Sequence, residues 1–565
     1  MVSEVKPAQT PAMANQGTAT RLINRLMPSP GDVVFLWGLL IVLRLRSGLL
    51  ANGSIARHVM TGKLILSSLR IPHGDPFSYT GAGASWAPTT WLSDVIFASA
   101  YRLIGGSGLL LVTGVCFAVT LFLIFRFAVH RGANAVVALT FLILIAWVLD
   151  VYILAGPEVF SFPLGIGYLT ILDGFQRHDN NRLKFLPVLM LIWANLAVGP
   201  IAGIVMIAVY LGGNLVQGAL AKDQGSRSGF CDRARKLSTI LPITLVAAAL
   251  NPTGPKIFLS EVGLAGDNSW TNQFAGLLSP SFHDHFGIVV FFAVAIAAFA
   301  LSRRRPGFFD VALLLAAIGL GLYSVRWLPL LVLLLTPTTI ILLSNEIGPR
   351  GLRWPGWAHR FRHELAKLSE NALGLERIRN THMVACAVLV AWGAMAGYSA
   401  RTGRLNFTDR DHERGSFPVD ALEFALANSI SGNVFNEDLW GGYILLNSYP
   451  RYKVFTDDRW SMYGDEIQEE YAKVAGAKLG FEGVLDANQV NWVLFKANTS
   501  LCRVLFLTGK WKLVYADGIA DILVRDTPEN QGLITQYYNV NFVPDGYMRV
   551  DEYKDDPTGM AIGHH

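Results

Sequence analysis

Charge is scarce in this chain of 565 residues: Asp, Glu, Lys and Arg together make up 16% of it, against roughly 25% in an ordinary soluble protein. With 52% of residues hydrophobic and the apolar ones gathered in blocks that end near Ala400, a wholly soluble chain is excluded. Cysteine is scarce as well. Cys116, Cys231, Cys386 and Cys502 form no CxxC pair and no Cys/His cluster, which excludes a disulfide framework and a thiolate zinc site. GxGxxG, P-loop and GxSxG stretches are all missing, so neither nucleotide binding nor serine-hydrolase chemistry is suggested. The net charge of +5 does not predict nucleic acid as a partner. Its surplus Lys and Arg lie in loops between apolar blocks, where the positive-inside rule puts them. Residues 1–31 begin polar and low in complexity, and they read as a disordered cytoplasmic N-terminus rather than a cleaved signal peptide.

What the chain does have is long apolar runs. A helix crosses a bilayer with about 20 mainly apolar residues. Spans are predicted at 32–50, 107–127, 133–150, 157–175, 183–199, 200–218, 237–251, 286–302, 306–325, 327–344 and 382–399. The amphipathic stretch 89–106, with Asp94, Tyr101 and Arg102, fits the membrane interface. Leaving it out of the count puts the Arg- and Lys-rich loops on one side. The fold class expected is therefore a polytopic α-helical membrane protein of about eleven spans with a C-terminal soluble α/β domain. Residues 32–399 form the membrane domain, with a long first periplasmic loop at 51–106, and 400–565 form the periplasmic domain. The N-terminus is placed in the cytoplasm.

This threading gathers Asp75, Asp94, Asp150, Glu158, Asp267 and Asp284 at the outer face. Irregular stretches at 51–106, 195–200 and 251–285 lie there too. Non-helical backbone at membrane depth needs burial in protein or a watery cavity, and ionisable groups at that depth mark a functional site by default. In the C-terminal domain, strands are expected at 432–436, 452–457, 490–496, 511–517 and 520–526, with helices at 439–448, 464–478 and 500–508. The last two strands make a hairpin.

The order "H..TGK.I.....IP..DPFSYT.....W....WLSD.....AYRL.GG" in the first loop, from His58 to Gly106, resembles that of bacterial integral-membrane glycosyltransferases with the GT-C fold. So do "PEVFSFPLG" (157–165), "LIWANLAVGPIAG" (191–203), "AALNPTG" (248–254), "SVRWLPLLVLLLTP" (324–337) and "GNVFNEDLWGGYILLNSYP…VFTDDRWSMYG" in the tail. The resemblance implies transfer of a sugar from a polyprenyl-phosphate donor to a lipid or glycan acceptor at the outer face of a bacterial inner membrane. The setting it implies is envelope polysaccharide or glycolipid synthesis, with membrane lipids and possible further envelope-biosynthesis proteins as partners. The chain departs from the pattern at Asn52 and Ser54, where members typically carry acids. It departs again at Ala197, Val198, Gly199 and Pro200, which lack the His of their Leu-His-Gly-Gly stretch.

Such a transfer needs a base for the acceptor hydroxyl and positive charge or donors for the departing phosphate. Asp75, Glu158 and Asp94 are the candidate catalytic acids; His58, Arg57, Lys63 and Arg326 are the candidates for the donor phosphate. Trp440, Tyr443, Asp457 and Arg459 are the candidates for the acceptor or its sugars, since aromatics stack on sugar rings and the charged pair follows a strand end. No cofactor is certain. A divalent metal is possible, and His283-Asp284-His285 has the residue types for one. Two other readings stay open: a catalytically inactive GT-C-like scaffold that binds or presents lipid-linked glycan, and a transporter.

Overall fold

The computed structural model describes residues 28–44, 53–149, 152–178, 181–261, 286–303, 306–347, 358–378, 383–402 and 415–543. Asn52, Asp150, Asp267 and the 283–285 triplet lie outside the described residues.

Each predicted apolar segment carries a helix. In chain order the helical part of the chain contains α1 (Pro30–Arg44), α2 (Gly53–Ser68), α3 (Trp91–Ile104), α4 (Gly106–His130), α5 (Ala135–Val148), α6 (Ser161–His178), α7 (Phe185–Leu196), α8 (Ile201–Leu220), α9 (Gln224–Ala249), α10 (Lys256–Glu261), α11 (Phe286–Leu301), α12 (Phe308–Tyr323), α13 (Leu328–Ile347), α14 (Ala358–Ile378) and α15 (Met383–Thr402). Gly106–His130, Ile201–Leu220 and Val325–Ile347 are long and apolar enough to cross a membrane by length and composition. The apolar stretches of α1, α5, α7, α11, α12 and α15 are shorter.

Local chemistry sets the helix ends. The Asn134 side chain accepts from the amides of Val136 and Val137 at the start of α5. Asp223 caps α9 by accepting from Ser226 N. Such caps satisfy amides that have no partner within the helix. Inside the apolar helices, the hydroxyls of Thr113, Thr120, Thr336 and Thr339 donate to carbonyls four residues back. Those four hydroxyl hydrogens are thereby not left bare in an apolar medium, whereas the buried Ser344 Oγ and Trp392 Nε1 have no partner among the described residues.

The helix ends form two poles. At one, Arg131 and Arg177 meet Asp173 and Asp310, with Arg177–Asp173 at 2.7 Å, Arg177–Asp310 at 3.0 Å and Arg131–Asp310 at 3.3 Å. This cluster ties the C-terminal ends of α4 and α6 to the start of α12. Helix α14 docks at the same pole, where Ser369 Oγ accepts from Ala135 N. At the other pole stand α2, α3 and the C-terminal domain.

That domain contains α16 (Val419–Ala427), β1 (Asn433–Asn436), α17 (Gly441–Ser448), α18 (Trp460–Ala475), α19 (Phe481–Ala487), β2 (Val490–Lys496), α20 (Ser500–Leu507), β3 (Trp511–Ala516), β4 (Ala520–Arg525) and α21 (Gln531–Gln536). The sheet order is β1-β2-β4-β3; β1 runs parallel to β2, and the other pairs are antiparallel. Both faces are covered. On β2, Trp492 and Leu494 enter one core with Leu422, Ile444 and Leu445, while Val493 and Phe495 enter another with Tyr471, Leu485 and Leu505. A strand buried on both faces reads as a continuous apolar run, which is what its centre, "WVLF" (492–495), is.

Two expectations are corrected. Residues 452–457 are not a strand of this sheet. Val454 makes a single parallel bridge to Ser78 of the first loop, because Asn436 Oδ1 and Phe77 O take the amides of Phe455 and Val454. The first loop is not irregular throughout either: residues 53–68 are helical, and they lie between α3 and α17. Phe77, fully buried, belongs to the core of the C-terminal domain.

Burial pushes the Asp521 carboxyl up to about 7. Burial, with Glu437 alongside, pushes Asp438 up to about 6. Both folded values lie above that of a free carboxyl, so between about pH 4 and 7 the folded domain holds more protons than the unfolded chain. The resulting stability is full below about pH 4 and is lost as pH rises through 7, and Asp521 contributes up to about 4 kcal/mol of it. Hydrogen exchange of the β4 peptide in the intact protein should therefore quicken from pH 5 to pH 8 by more than the intrinsic rate. Asp521→Asn should flatten that excess.

Candidate functional site

Both glycines of α2, Gly53 and Gly62, stand where a neighbouring backbone leaves no room for a Cβ. A Cβ on Gly62 would sit less than 3.0 Å from the Asp94 carbonyl of α3, and one on Gly442 would sit 2.9 Å from the Arg57 amide. These two close approaches bring the backbones of α3 and α17 against opposite sides of α2. Side chains between them are buried, and they include Arg57, His58 and Asp94.

Those three side chains form one hydrogen-bonded line. His58 Nδ1 lies 2.6 Å from Asp94 Oδ1, and Arg57 Nη2 lies 3.1 Å from His58 Nε2. An arginine has only donors, so Nε2 must accept and the ring proton sits on Nδ1, donating to Asp94. Arg57 in turn grips Asp458 of the C-terminal domain through Nε–Oδ1 at 2.5 Å and Nη2–Oδ2 at 3.0 Å. Burial alone would lower the Arg57 pKa, but the Asp458 carboxylate leaves it raised. Asp458 is held below the usual carboxylate range, because Arg57 outweighs the effect of its burial. The pair is therefore fully ionised. Asp94 has 0% exposure, and its second oxygen, Oδ2, has no hydrogen-bond partner among the described residues. A buried carboxylate oxygen left unpaired costs about 1–3 kcal/mol or more.

Next to this line stands a second ion cluster. Arg459 donates to Asp457 through Nε at 2.8 Å and Nη2 at 2.7 Å, and to Asp75 Oδ1 through Nη1 at 2.7 Å. Its guanidinium lies 4.5 Å from the Trp86 ring centroid and 5.2 Å from that of Phe77. Asp75 Oδ1 also accepts from Phe77 N, while Oδ2 accepts from the amide and hydroxyl of Ser78. The expected base Asp75 is thus an Asx-type turn closed by an arginine, with both oxygens taken. Removing one partner of such a buried cluster leaves charges uncompensated and costs about 3–5 kcal/mol. Arg459→Ala should therefore loosen the first loop from the C-terminal domain. Limited proteolysis within residues 70–90, quickened at least tenfold, would register it.

The other candidates are placed as follows. Glu158 is exposed on a short 3-10 turn, Pro157–Phe160. Phe160 of that turn meets Phe97 of α3 at 5.6 Å between ring centroids, so Glu158 stands at the pole that carries Asp94. Lys63 lies over the Tyr101 ring at 4.9 Å, and burial lowers its pKa. Arg326 sits on the 3-10 turn Val325–Trp327 between α12 and α13. A Cβ on Gly199, whose φ is +95°, would meet Trp327 at 3.4 Å, which puts the 195–200 stretch beside that turn. Trp91 Nε1 donates to Asn195 Oδ1 at 2.8 Å and joins α3 to the same stretch.

The expected acceptor residues are occupied in packing. Trp440 is buried, with Nε1 donating to Ser416 O, and Tyr443 stacks on Phe417 at 5.0 Å. Asp457 and Arg459 close on each other. Asp458 shares the predicted strand-end position of Asp457 and Arg459 in "TDDRW", but that local signal does not pick it out from its neighbours as a site residue. Among the described residues no group of three His, Cys, Asp or Glu side chains could hold a metal ion.

No known protein-family profile matches the chain, and no curated protein matches it. Solved structures do. The oligosaccharyltransferase of Archaeoglobus fulgidus in its apo form aligns with a TM-score of 0.54 at 11% identity, over 88% of this chain and 75% of that one. The same protein, AglB, in complex with an inhibitory peptide and a dolichol-phosphate aligns with a TM-score of 0.53 at 12% identity, over 88% and 75%. ArnT from Cupriavidus metallidurans bound to undecaprenyl phosphate covers 87% of this chain and 97% of its own at 14% identity, with a TM-score of 0.45. At these identities the likeness to the oligosaccharyltransferase concerns the fold alone, and it is the GT-C fold of membrane glycosyltransferases that the first loop and tail of the sequence resemble.

Proposed function

We propose that the chain is a membrane glycosyltransferase that moves a sugar from a polyprenyl-phosphate carrier to a hydroxyl of a lipid or glycan acceptor. In this reading Asp94 is the general base, and Asp75 is not. The single observation that carries it is the unpaired, buried Oδ2 of Asp94, whose other oxygen is fixed by His58. Most buried polar atoms find a hydrogen-bond partner, so an unpaired one calls for an explanation; Glu346 Oε2 is unpaired too, but Asp94 is the acid whose other oxygen is held by a histidine.

The acceptor hydroxyl gives its proton to Asp94 Oδ2 as its oxygen bonds to the anomeric carbon. The bond from that carbon to the carrier phosphate breaks, and the lipid phosphate leaves with the electron pair. Positive charge must meet it. Arg57 is committed to Asp458, so Lys63 and Arg326 are the remaining basic candidates. Glu158, the exposed acid of the same pole, is placed to bind acceptor hydroxyls. Because Asp94 is fully buried, the acceptor reaches it only when the packing around it opens.

The same reading has the predicted segments crossing a bacterial inner membrane. The pole with the C-terminal domain faces the periplasm, and envelope polysaccharide or glycolipid is the product class. Support comes from the one-sided distribution of Arg and Lys and from the fold shared with a protein solved in complex with a dolichol-phosphate. Purified protein in lipid, given a panel of polyprenyl-phosphate sugars and envelope-lipid extract, should form glycosylated product. Saturable donor binding with no product, in wild type and Asp94→Asn alike, would support the inactive scaffold instead.

A further inference from the structure

We propose that Asp458, in the C-terminal domain, is a positioning residue for the His58–Asp94 pair and acts through Arg57. The proposal rests on the reading of Asp94 as the reacting group, but its physical content can be tested without turnover. Three consecutive residues, Asp457, Asp458 and Arg459, divide their work. Asp457 and Arg459 close on each other and on Asp75. Asp458 alone crosses to α2, and it is 401 residues away from its partner in sequence.

The geometry makes the connection directional. A carboxylate that holds both Nε and Nη2 fixes the plane of the guanidinium, as the fork-to-fork pairing of arginine and carboxylate requires. Nη2 carries two hydrogens. One goes to Asp458 Oδ2 at 3.0 Å and the other faces His58 Nε2 at 3.1 Å. Nε2 is then held as an acceptor, which leaves the ring proton on Nδ1 and directs it to Asp94 Oδ1 at 2.6 Å. A neutral histidine can carry its proton on either nitrogen, and the bond made by one nitrogen decides what the other does. Without Asp458 the guanidinium can turn away, Nε2 is released, and nothing fixes the proton towards Asp94. The membrane-side pair would then be set by the domain docked over it.

This can be read with diethyl pyrocarbonate, which acylates an unprotonated, unbonded imidazole nitrogen. Trypsin cuts after Arg57 and again after Lys63, so His58 is the only histidine in its peptide, His58 to Lys63. In the intact protein in lipid, His58 should react slowly, because both ring nitrogens are engaged. In Asp458→Asn it should react about tenfold faster or more, the population effect of losing one charge-assisted hydrogen bond. Asp458→Glu, which keeps a carboxylate fork, should restore most of the protection. Arg57→Lys keeps the charge and the trypsin site but loses the fork, and it should behave like Asp458→Asn. Asp486→Ala, which removes an exposed acid paired with Arg525, should leave His58 unchanged and serves as the control.

Hydrogen exchange of the α17 peptide is followed in parallel. The proposal requires it to stay slow in Asp458→Asn while His58 becomes reactive. An unchanged His58 rate in both Asp458→Asn and Arg57→Lys would overturn the proposal. So would a rise accompanied by exposure of α17, which would make the ion pair a docking clamp and no more. A wild type that shows this reactivity pattern but transfers no sugar would overturn the transferase reading and leave the positioning intact.

Discussion

Asp94→Asn should lower sugar transfer by about 10²–10⁴-fold, the usual cost of losing a general base, with little change in donor affinity. The substitution suits the geometry. His58 Nδ1 can still donate to the amide oxygen that replaces Oδ1, so the contact between α2 and α3 survives. What is lost is the proton acceptor at the unpaired oxygen. Asp75→Asn should behave differently. Its oxygens serve Arg459, Phe77 and Ser78, and the variant should lose thermal stability in proportion to any loss of turnover. Single-turnover rates beside melting temperatures for the two variants separate the roles. Equal effects of Asp94→Asn on melting and on rate would remove Asp94 from the chemistry.

The second large effect is expected at Gly442, where no chemistry is involved. A Cβ there would meet the Gly53 carbonyl and, at 2.9 Å, the Arg57 amide. Both neighbours are backbone, so no rotamer change relieves the clash, and overpacking of this kind costs about 1–3 kcal/mol or more. Gly442→Ala should therefore part α17 from α2, expose Arg57 and His58, and abolish transfer together with any Asp458 coupling. Gly483→Ala is the matched control, since a Cβ at that position in α19 meets nothing within 4 Å. Crosslinking between single cysteines placed at Ser54 and Leu439 should be efficient in the control and absent in Gly442→Ala. Equal crosslinking in both would mean that the domain docks by other contacts.

How much of this was readable from sequence depends on the range of the interaction. Helix positions in the N-terminal helical part follow from apolar runs, and the β3–β4 hairpin follows from two β-rich stretches joined by a short turn. The doubly buried centre of β2 shows as the apolar run "WVLF". Helix α2 did not show, because its inward residues include Arg57, His58, Thr61 and two glycines, a pattern that resembles a polar loop. Its burial is imposed from both sides by α3 and α17, which a local reading does not see.

The site divides in the same way. His58 and Asp94 carried recognisable chemistry and were picked out, but which acid would be left with a free oxygen depends on partners far along the chain. Asp75 looked like an available acid because nothing nearby announces Arg459, 384 residues on. Trp440 and Tyr443 looked like sugar-stacking residues, and they are packed against Ser416 and Phe417. Asp458 could not be told from Asp457 beside it until the fold set Arg57 opposite.

The central claim is that this GT-C fold still performs transfer with the first loop and the C-terminal domain as one site. The most direct test is a wild-type turnover measurement with donor binding followed in the same sample. Labelled polyprenyl-phosphate sugars are supplied one at a time with envelope-lipid acceptor, and product and bound donor are both counted. At least one donor should bind saturably and give product at a rate that Asp94→Asn reduces by about 10²-fold or more. A donor that binds saturably yet yields no product, with the same affinity in both forms, would contradict the claim.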